Sequence, residues 1–321
     1  MPVKINYQKV GVIIPCYKVS KHIANVIKSI PAKIAHIIIV DDACPENSGK
    51  IASKVSRKNL HIIYRKKNGG VGAAMAAGFE KAIQLKLDVV VKIDGDGQMD
   101  ASQIDKFILP IAKNRADYVK GNRFENTESI RKMPFVRLFG NSLLSFFVKL
   151  ASGYWNIFDP TNGYTAVRVK TLQKLKLNKI PKGYFYESGM LIRLNIINAV
   201  VKDVNLPAIY GDENSSLKIS KVIVQFPFKL FFGFAKRILL KYFIYNFNMA
   251  SVYLLLGLPV FVISIVSGAY FWIKSIKTGI PSSAGTIMLV ALPIIISFQM
   301  LLQALNIDIN SVPEKTDEDN E

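Results

Sequence analysis

The sequence predicts an α/β protein with a mostly parallel sheet, followed by interface helices and two transmembrane helices. Three observations carry this expectation. Short, continuously apolar runs alternate with helical patterns through roughly the first 120 residues. Acidic and glycine-rich turns stand at the ends of those runs. Two long uncharged stretches follow near the C-terminus.

The elements fall in order. "KVGVIIP" (9–15) reads as a buried strand, and "KHIANVIKSI" (21–30) has helical spacing. "AHIIIVDD" (35–42) is a second strand that ends in two aspartates, followed by a short helical stretch over 48–56. "LHIIYR" (60–65) is a third strand, and 70–85 an alanine-rich helix behind a glycine turn. "DVVVKID" (88–94) is a fourth strand, 101–113 a helix, and "DYVKGNRF" (117–124) a fifth strand. Apolar strands without alternation, separated by helices, indicate a sheet covered on both faces. Helices are expected near 134–152 and over 187–199, with a loop entering a strand at 159–169. In such sheets ligands bind beyond the carboxyl ends of the strands. Asp41, Asp42, Asn68, Gly69, Asp94 and Asp96 all lie at such ends, so the sheet gathers them into one crevice.

The C-terminal part has a different character. No charged residue occurs from Tyr242 to Ile273, nor from Thr278 to Ile307. Each stretch exceeds the roughly 20 apolar residues that span a bilayer. Spans are expected near 252–273 and 285–305, the first ending in the aromatic flank Tyr270, Phe271 and Trp272. Gly257, Ser264 and Gly268 permit close helix packing, a homo-oligomer included. Before the spans, residues 222–245 are both aromatic and basic. On a helix, Lys229, Lys236, Arg237 and Lys241 share a sector of about 140°, as expected of a helix lying in the membrane interface. The resulting division is 1–220 the α/β domain, 221–246 interfacial, 247–307 spanning and 308–321 an acidic, solvated tail.

The net charge is +19. A basic chain with spans suits anionic lipid or phosphate partners. No recognised nucleic-acid motif is present, so nucleic acid is not expected as a partner. Bases cluster before the first span, which places that side and the tail in the cytoplasm by the positive-inside rule. The N-terminal apolar run is short and lacks a small-residue cleavage site, so no signal peptide is expected. Cys16 and Cys44 suit a reducing compartment.

The sharpest chemical feature is "KIDGDGQMD" (92–100). Asp94 and Asp96 form an acid-x-acid pair on a turn with little side-chain bulk. Mg²⁺ is commonly held by one or two carboxylates together with substrate phosphates, and glycines let a diphosphate approach the backbone. An EF-hand loop fits less well. Met99 stands where its glycine is needed, Asp105 replaces its glutamate, and a strand rather than a helix precedes it. The plain alternative is a solvated β-turn. "NGGVGAA" (68–74) opens a helix and suits an anion. "VDDACPENSG" (40–49) offers Asp41 and Asp42 to nucleoside groups, or to a helix cap.

Together "VIIPCYK", "IIIVDDACPENSG", "NGGVGAA" and "KIDGDGQMD", in this order, resemble family 2 glycosyltransferases with a GT-A fold. With the two spans, the whole resembles the polyprenyl- and dolichol-phosphate sugar transferases. The resemblance implies that Pro15, Tyr17, Asp42 and Gly70 line a nucleotide pocket, with Asp41 and Asn68 beside them. It implies that Asp94 and Asp96 hold Mg²⁺ or Mn²⁺ and the diphosphate of a UDP- or GDP-sugar, with Gln98 by the sugar. Two departures stand on the nucleotide side. Lys18-Val19 replaces the usual Asn-Glu, and Ala43-Cys44-Pro45-Glu46 follows the paired acids.

The implied reaction is inverting transfer to polyprenyl phosphate at the cytoplasmic face of a prokaryotic plasma membrane. A lipid phosphate is already anionic and needs cationic positioning, for which Arg123 and Arg131 are favoured over Lys132, Arg137 and Arg168. A hydroxyl acceptor, such as a glycolipid, would need a base instead, and Glu187 is the candidate. "YGDENSSLKISK" (210–221) offers Ser215, Ser216 and Lys218 to a phosphate but lacks the arginine of the family's stretch there.

Overall fold

The computed structural model describes residues 5–123, 135–206 and 219–315. The chain forms two compact units, 1–237 with 313–321, and 238–312.

The first unit is built on seven strands in the order β3-β2-β1-β4-β6-β5-β7. They are β1 (Val10–Cys16), β2 (His36–Asp41), β3 (Leu60–Tyr64), β4 (Val89–Lys92), β5 (Tyr118–Asn122), β6 (Thr165–Arg168) and β7 (Val201–Asn205). All neighbours pair in parallel except β6, which runs antiparallel to both β4 and β5. The helices around this sheet are α1 (Ile23–Ser29), α2 (Ser48–Ser53), α3 (Val71–Gln84), α4 (Ile104–Ala112), α5 (Phe135–Ser152), α6 (Val169–Lys174) and α7 (Tyr186–Ile196).

Side chains alternate across a strand, and that alternation builds two layers here. Val12, Ile14, Ile37, Ile39 and Val91 meet α1, α2 and α4 in one continuous cluster. Ile13 points the other way, and its methyl group lies where a Cβ on Gly78 of α3 would stand, so α3 closes the second face. All of these strand residues are fully buried. Full burial of one such side chain contributes about 1.5–3 kcal/mol. This explains why the strands read as unbroken apolar runs.

The last long helix of this unit, α8 (Ile219–Ile238), carries Pro227. Gly233 packs against Ile192 of α7, and Phe226 meets Phe185 edge to face at 5.3 Å. Phe228, Phe231 and Phe232 are exposed, as are Lys229 and Lys236. The expected sector of four bases is therefore only half correct. Arg237 is fully buried and donates to the carbonyls of Ala151 (2.9 Å) and Leu150 (3.0 Å). It caps the carbonyl end of α5, where a cation is favoured. Lys241 is buried too, within the second unit.

That unit begins with a wider π-type turn, Leu239–Tyr245, and continues as α9 (Met249–Thr278) and α10 (Ala284–Asn310). Both helices are long and apolar enough to cross a membrane. They run antiparallel. A Cβ on Gly257 would lie 3.1 Å from Met300 Cβ, and one on Gly268 would lie 2.9 Å from Val290 Cγ1. The small residues of the first span thus pack against the second span of the same chain. Tyr242 donates to Asp308 Oδ1 at 2.6 Å, and Lys241 to the Ser311 hydroxyl at 3.1 Å. Asp308 is a buried residue of α10, not part of a solvated tail. Lys315 is also engaged, donating to Asp117 Oδ1 at 2.7 Å within the first unit. Residues 316–321 lie outside the described residues.

Candidate active site

β4 ends at Lys92, and the acidic loop follows. The loop is held by its own backbone. The Gln98 amide donates to Asp96 Oδ1 at 3.0 Å, the Asp94 amide to Met99 Sδ at 3.3 Å, and Gly97 takes a φ of 84°. Asp94 and Asp96 are half-buried, and Gln98 is exposed. The third acid, Asp100, has a different task. It accepts from the Ser102 amide (2.9 Å) and hydroxyl (2.7 Å), and so caps the short turn that leads into α4.

Beneath the loop lies a buried ion cluster. Lys92 Nζ sits 2.7 Å from Asp94 Oδ1 and 3.8 Å from Glu187 Oε1, and it donates to the Gly163 carbonyl at 3.0 Å. Burial alone would lower the Lys92 pKa, but Asp94 and Glu187 outweigh it, and the net shift is upward. Glu187 stands in the first turn of α7. Burial raises its carboxyl above the ordinary range, against the pull of Lys92 and Lys120.

The donor set can be tested against a divalent cation. Among the described residues, no group of three or more His, Cys, Asp or Glu side chains is placed to hold an ion alone. Two loop carboxylates are the set expected where phosphate oxygens and water complete the shell. Asp94 Oδ2 stays approachable because residue 163 has no side chain; a Cβ there would lie 2.8 Å from it. Asp94 and Asp96 therefore fit Mg²⁺ or Mn²⁺ arriving with a diphosphate.

The other acid pair is arranged differently. Asp41 accepts from the backbone amides of Cys44 and Gly49, both at 2.7 Å. Both oxygens of Asp41, a residue expected to contact the nucleoside, thus brace the turn after β2. Asp42 is 2% exposed. It accepts from the amides of Gly69 (3.0 Å) and Gly70 (2.7 Å) and pairs with Arg65. The glycine turn, expected to suit an anion, already has one in Asp42. Gly70 has a φ of 78°, and a Cβ on it would lie 2.8 Å from Gly183 Cα. Only glycine combines that backbone with that approach. Asn68 is exposed and accepts from the Gly70 amide at 3.2 Å. Tyr17 is 45% exposed just beyond β1, and Pro15 is half-buried. Both thus stay at least partly exposed at that end of β1.

Arg123 follows β5. Its Nε donates to Asp159 Oδ2 at 2.8 Å and its Nη2 to Asp159 Oδ1 at 3.4 Å. Asp159 is fully buried, while half of the Arg123 side chain remains exposed. Arg123, Asn162 and Tyr164 face Gln98, Met99, Asp100 and Gln103 across a cleft beside the acidic loop. The structure thus brings Arg123, Asp94, Asp96 and Gln98 around one end of the sheet. Arg168 lies at the opposite end, where it pairs with Asp117 (3.3 Å) and the Ile111 carbonyl (2.7 Å). Because β6 is antiparallel, its last residue returns to the amino ends of the parallel strands. Arg131, Lys132, Ser215, Ser216 and Lys218 lie outside the described residues, as does the side chain of Arg137.

Sequence reading passed over Lys92, Lys120 and Asp159. For the two lysines the signal was present: a lysine inside "DVVVKID" and another inside "DYVKG" interrupt apolar strands, and a buried lysine requires partners. Lys120 donates to the Asn162 carbonyl, and burial pushes it down to about 8.

A family model for "Glycosyl transferase family 2" matches residues 11–176. A UDP-N-acetylglucosamine–dolichyl-phosphate N-acetylglucosaminyltransferase from Methanococcus voltae is 31% identical over 235 residues, 68% of this chain and 92% of the relative. A polyprenol monophosphomannose synthase from Mycolicibacterium smegmatis is 27% identical over 221 residues, 67% of this chain and 81% of the relative. Among solved structures, glucosyl-3-phosphoglycerate synthase from Mycobacterium tuberculosis, in complex with Mn²⁺, uridine diphosphate and phosphoglyceric acid, superposes with a TM-score of 0.54 at 18% identity. That match covers 71% of this chain and 78% of the other, and it supports the fold. The acidic loop at the end of β4 lies inside the matched region, which spans half of the sequence, and the chain belongs to glycosyl transferase family 2.

Proposed function

We propose that the protein transfers a sugar from a UDP- or GDP-linked donor to a polyprenyl phosphate, with inversion, at the cytoplasmic face of a membrane. The observation that carries this reading is the pairing of a family 2 catalytic unit with relatives that act on dolichyl or polyprenyl phosphate. Two helices long enough to span a bilayer agree with it.

The residues divide the work. Pro15 and Tyr17 border the nucleotide, and Gln98 stands on the sugar side of the loop. Asp94 and Asp96 would hold Mg²⁺ or Mn²⁺; when bound, the cation supplies positive charge to the departing diphosphate. Arg123, fixed by Asp159 and half exposed, presents a planar fork to the acceptor phosphate. Arg131 is assigned the same task. An oxygen of that phosphate attacks the anomeric carbon. The new carbon–oxygen bond forms as the bond to the nucleoside diphosphate breaks, and no proton has to be removed from the acceptor. The exposed Phe228, Phe231, Phe232, Lys229 and Lys236 of α8 suit a lipid interface.

The second reading is a hydroxyl acceptor with Glu187 as base. The ion pair with Lys92 disfavours it, because Glu187 is committed behind the acidic loop. A direct comparison separates the two. Purified protein in detergent is offered equal amounts of a polyprenyl phosphate and the matching polyprenol, with a panel of nucleotide sugars. The proposal expects glycosylation of the phosphate alone. Glycosylation of the alcohol, abolished by Glu187→Gln, would favour the second reading.

A further inference from the structure

Lys92 touches both the acidic loop and α7. It is buried, with 2% of its side chain exposed, and it contacts Asp94 Oδ1, Glu187 Oε1 and the Gly163 carbonyl. The three residues before it on the strand are buried valines, and Lys92 breaks that apolar run with a buried charge. Gly163 leaves room for it: a Cβ there would lie 2.7 Å from Lys92 Nζ.

We infer that Lys92 is a positioning residue that acts as the resident counter-cation of the site, so that the divalent ion binds well only together with the nucleotide diphosphate. The inference rests on the reading of Asp94 and Asp96 as the metal loop. Without Lys92, the carboxylates of Asp94 and Glu187 would lose the cation that now lies between them, two residues along the loop from Asp96. That excess of negative charge would draw a divalent ion to the loop without any substrate. The ammonium cancels one of those charges and occupies one of Asp94's two oxygens. It also repels a second cation nearby, an effect that is strong where water is excluded. A diphosphate brings negative charge of its own and restores the attraction. Metal and nucleotide affinities are then coupled, each raising the other by the same factor. The consequence is economical for a transferase: an ion does not sit in the empty site, and it leaves with the product diphosphate.

Mn²⁺ binding to the full-length protein in detergent tests this by electron paramagnetic resonance titration, with and without UDP or GDP. Wild type should bind Mn²⁺ weakly alone and at least about tenfold more tightly with nucleotide. Lys92→Met should tighten nucleotide-free Mn²⁺ binding by about tenfold and shrink the nucleotide effect. Glu187 would then lack its partner, so Lys92→Met is also compared with Glu187→Gln in the double variant. In that background removing Lys92 deprives only the loop acid Asp94 of its cation, and it should still tighten Mn²⁺ binding relative to Glu187→Gln alone. A purely structural lysine would lower stability and leave the ratio of the two Mn²⁺ affinities unchanged, and that result overturns the inference. If wild type binds no Mn²⁺ even with nucleotide, the metal reading itself fails and the inference falls with it. The two failures are thus distinguishable.

Discussion

Two pairs of acids end two strands of one sheet and meet opposite fates. Asp41 and Asp42, after β2, are at most 4% exposed and are satisfied by backbone amides. Asp94 and Asp96, after β4, keep accessible carboxylates, with Lys92 below them. The difference lies in the chain around each pair. The turn after β2 curls back and points the amides of Cys44 and Gly49 at Asp41. The glycine turn before α3 does the same for Asp42. Near β4 the Asp94 amide goes to Met99 and the Gln98 amide to Asp96 Oδ1 within the loop, and both carboxylates stay half-buried rather than enclosed. An acid at a strand end is a candidate ligand only when the surrounding chain has not enclosed it.

The largest expected effect breaks the symmetry most directly. Asp96→Asn should lower kcat by about 100-fold or more, as loss of a group that stabilises developing charge does, while the melting temperature moves little. Asp42→Ala should do the reverse. It strands two amides and Arg65, and loss of a buried charged partner costs about 3–5 kcal/mol, readable in urea unfolding. If both variants lost only activity, the contrast between the pairs would be wrong.

A third variant sharpens the picture at the cleft. Asp159→Asn weakens the hold on Arg123, so it should raise the KM for the lipid acceptor several-fold and leave the KM for the donor unchanged. The smallest effect is one of pH. Burial raises the Asp203 carboxyl from 3.8 to about 6. Its folded form therefore binds a proton more tightly than the unfolded chain does. That contribution to stability is fully present below 3.8 and is lost as pH rises through about 6. Asp203→Asn should flatten the stability profile across that window, and an unchanged slope would assign the shift elsewhere.

Much of this was legible in the residues, for physical reasons. Unbroken apolar strands and their helices follow from burial on both faces, and the first five strands fall where the pattern put them. Two uncharged stretches of bilayer length became two long helices. What the residues hid depended on distant partners. β6 inserts between β4 and β5 and runs backwards, and local periodicity carries no sign of direction. That insertion sent Arg168 to the wrong end of the sheet and brought Gly163 to Lys92. Arg237 looked like an interfacial base, yet the carbonyl end of α5 claimed it. Asp308 looked like the start of a tail, yet Tyr242 holds it.

The most direct test of the account is the product itself. Purified protein is incubated with Mg²⁺, undecaprenyl phosphate and a panel of UDP- and GDP-sugars, and the extracted lipid is weighed by mass spectrometry. The account predicts a lipid one sugar heavier, absent when a chelator is added and absent with Asp96→Asn. A glycolipid that persists in Asp96→Asn, or release of nucleotide with the lipid unchanged, would contradict it.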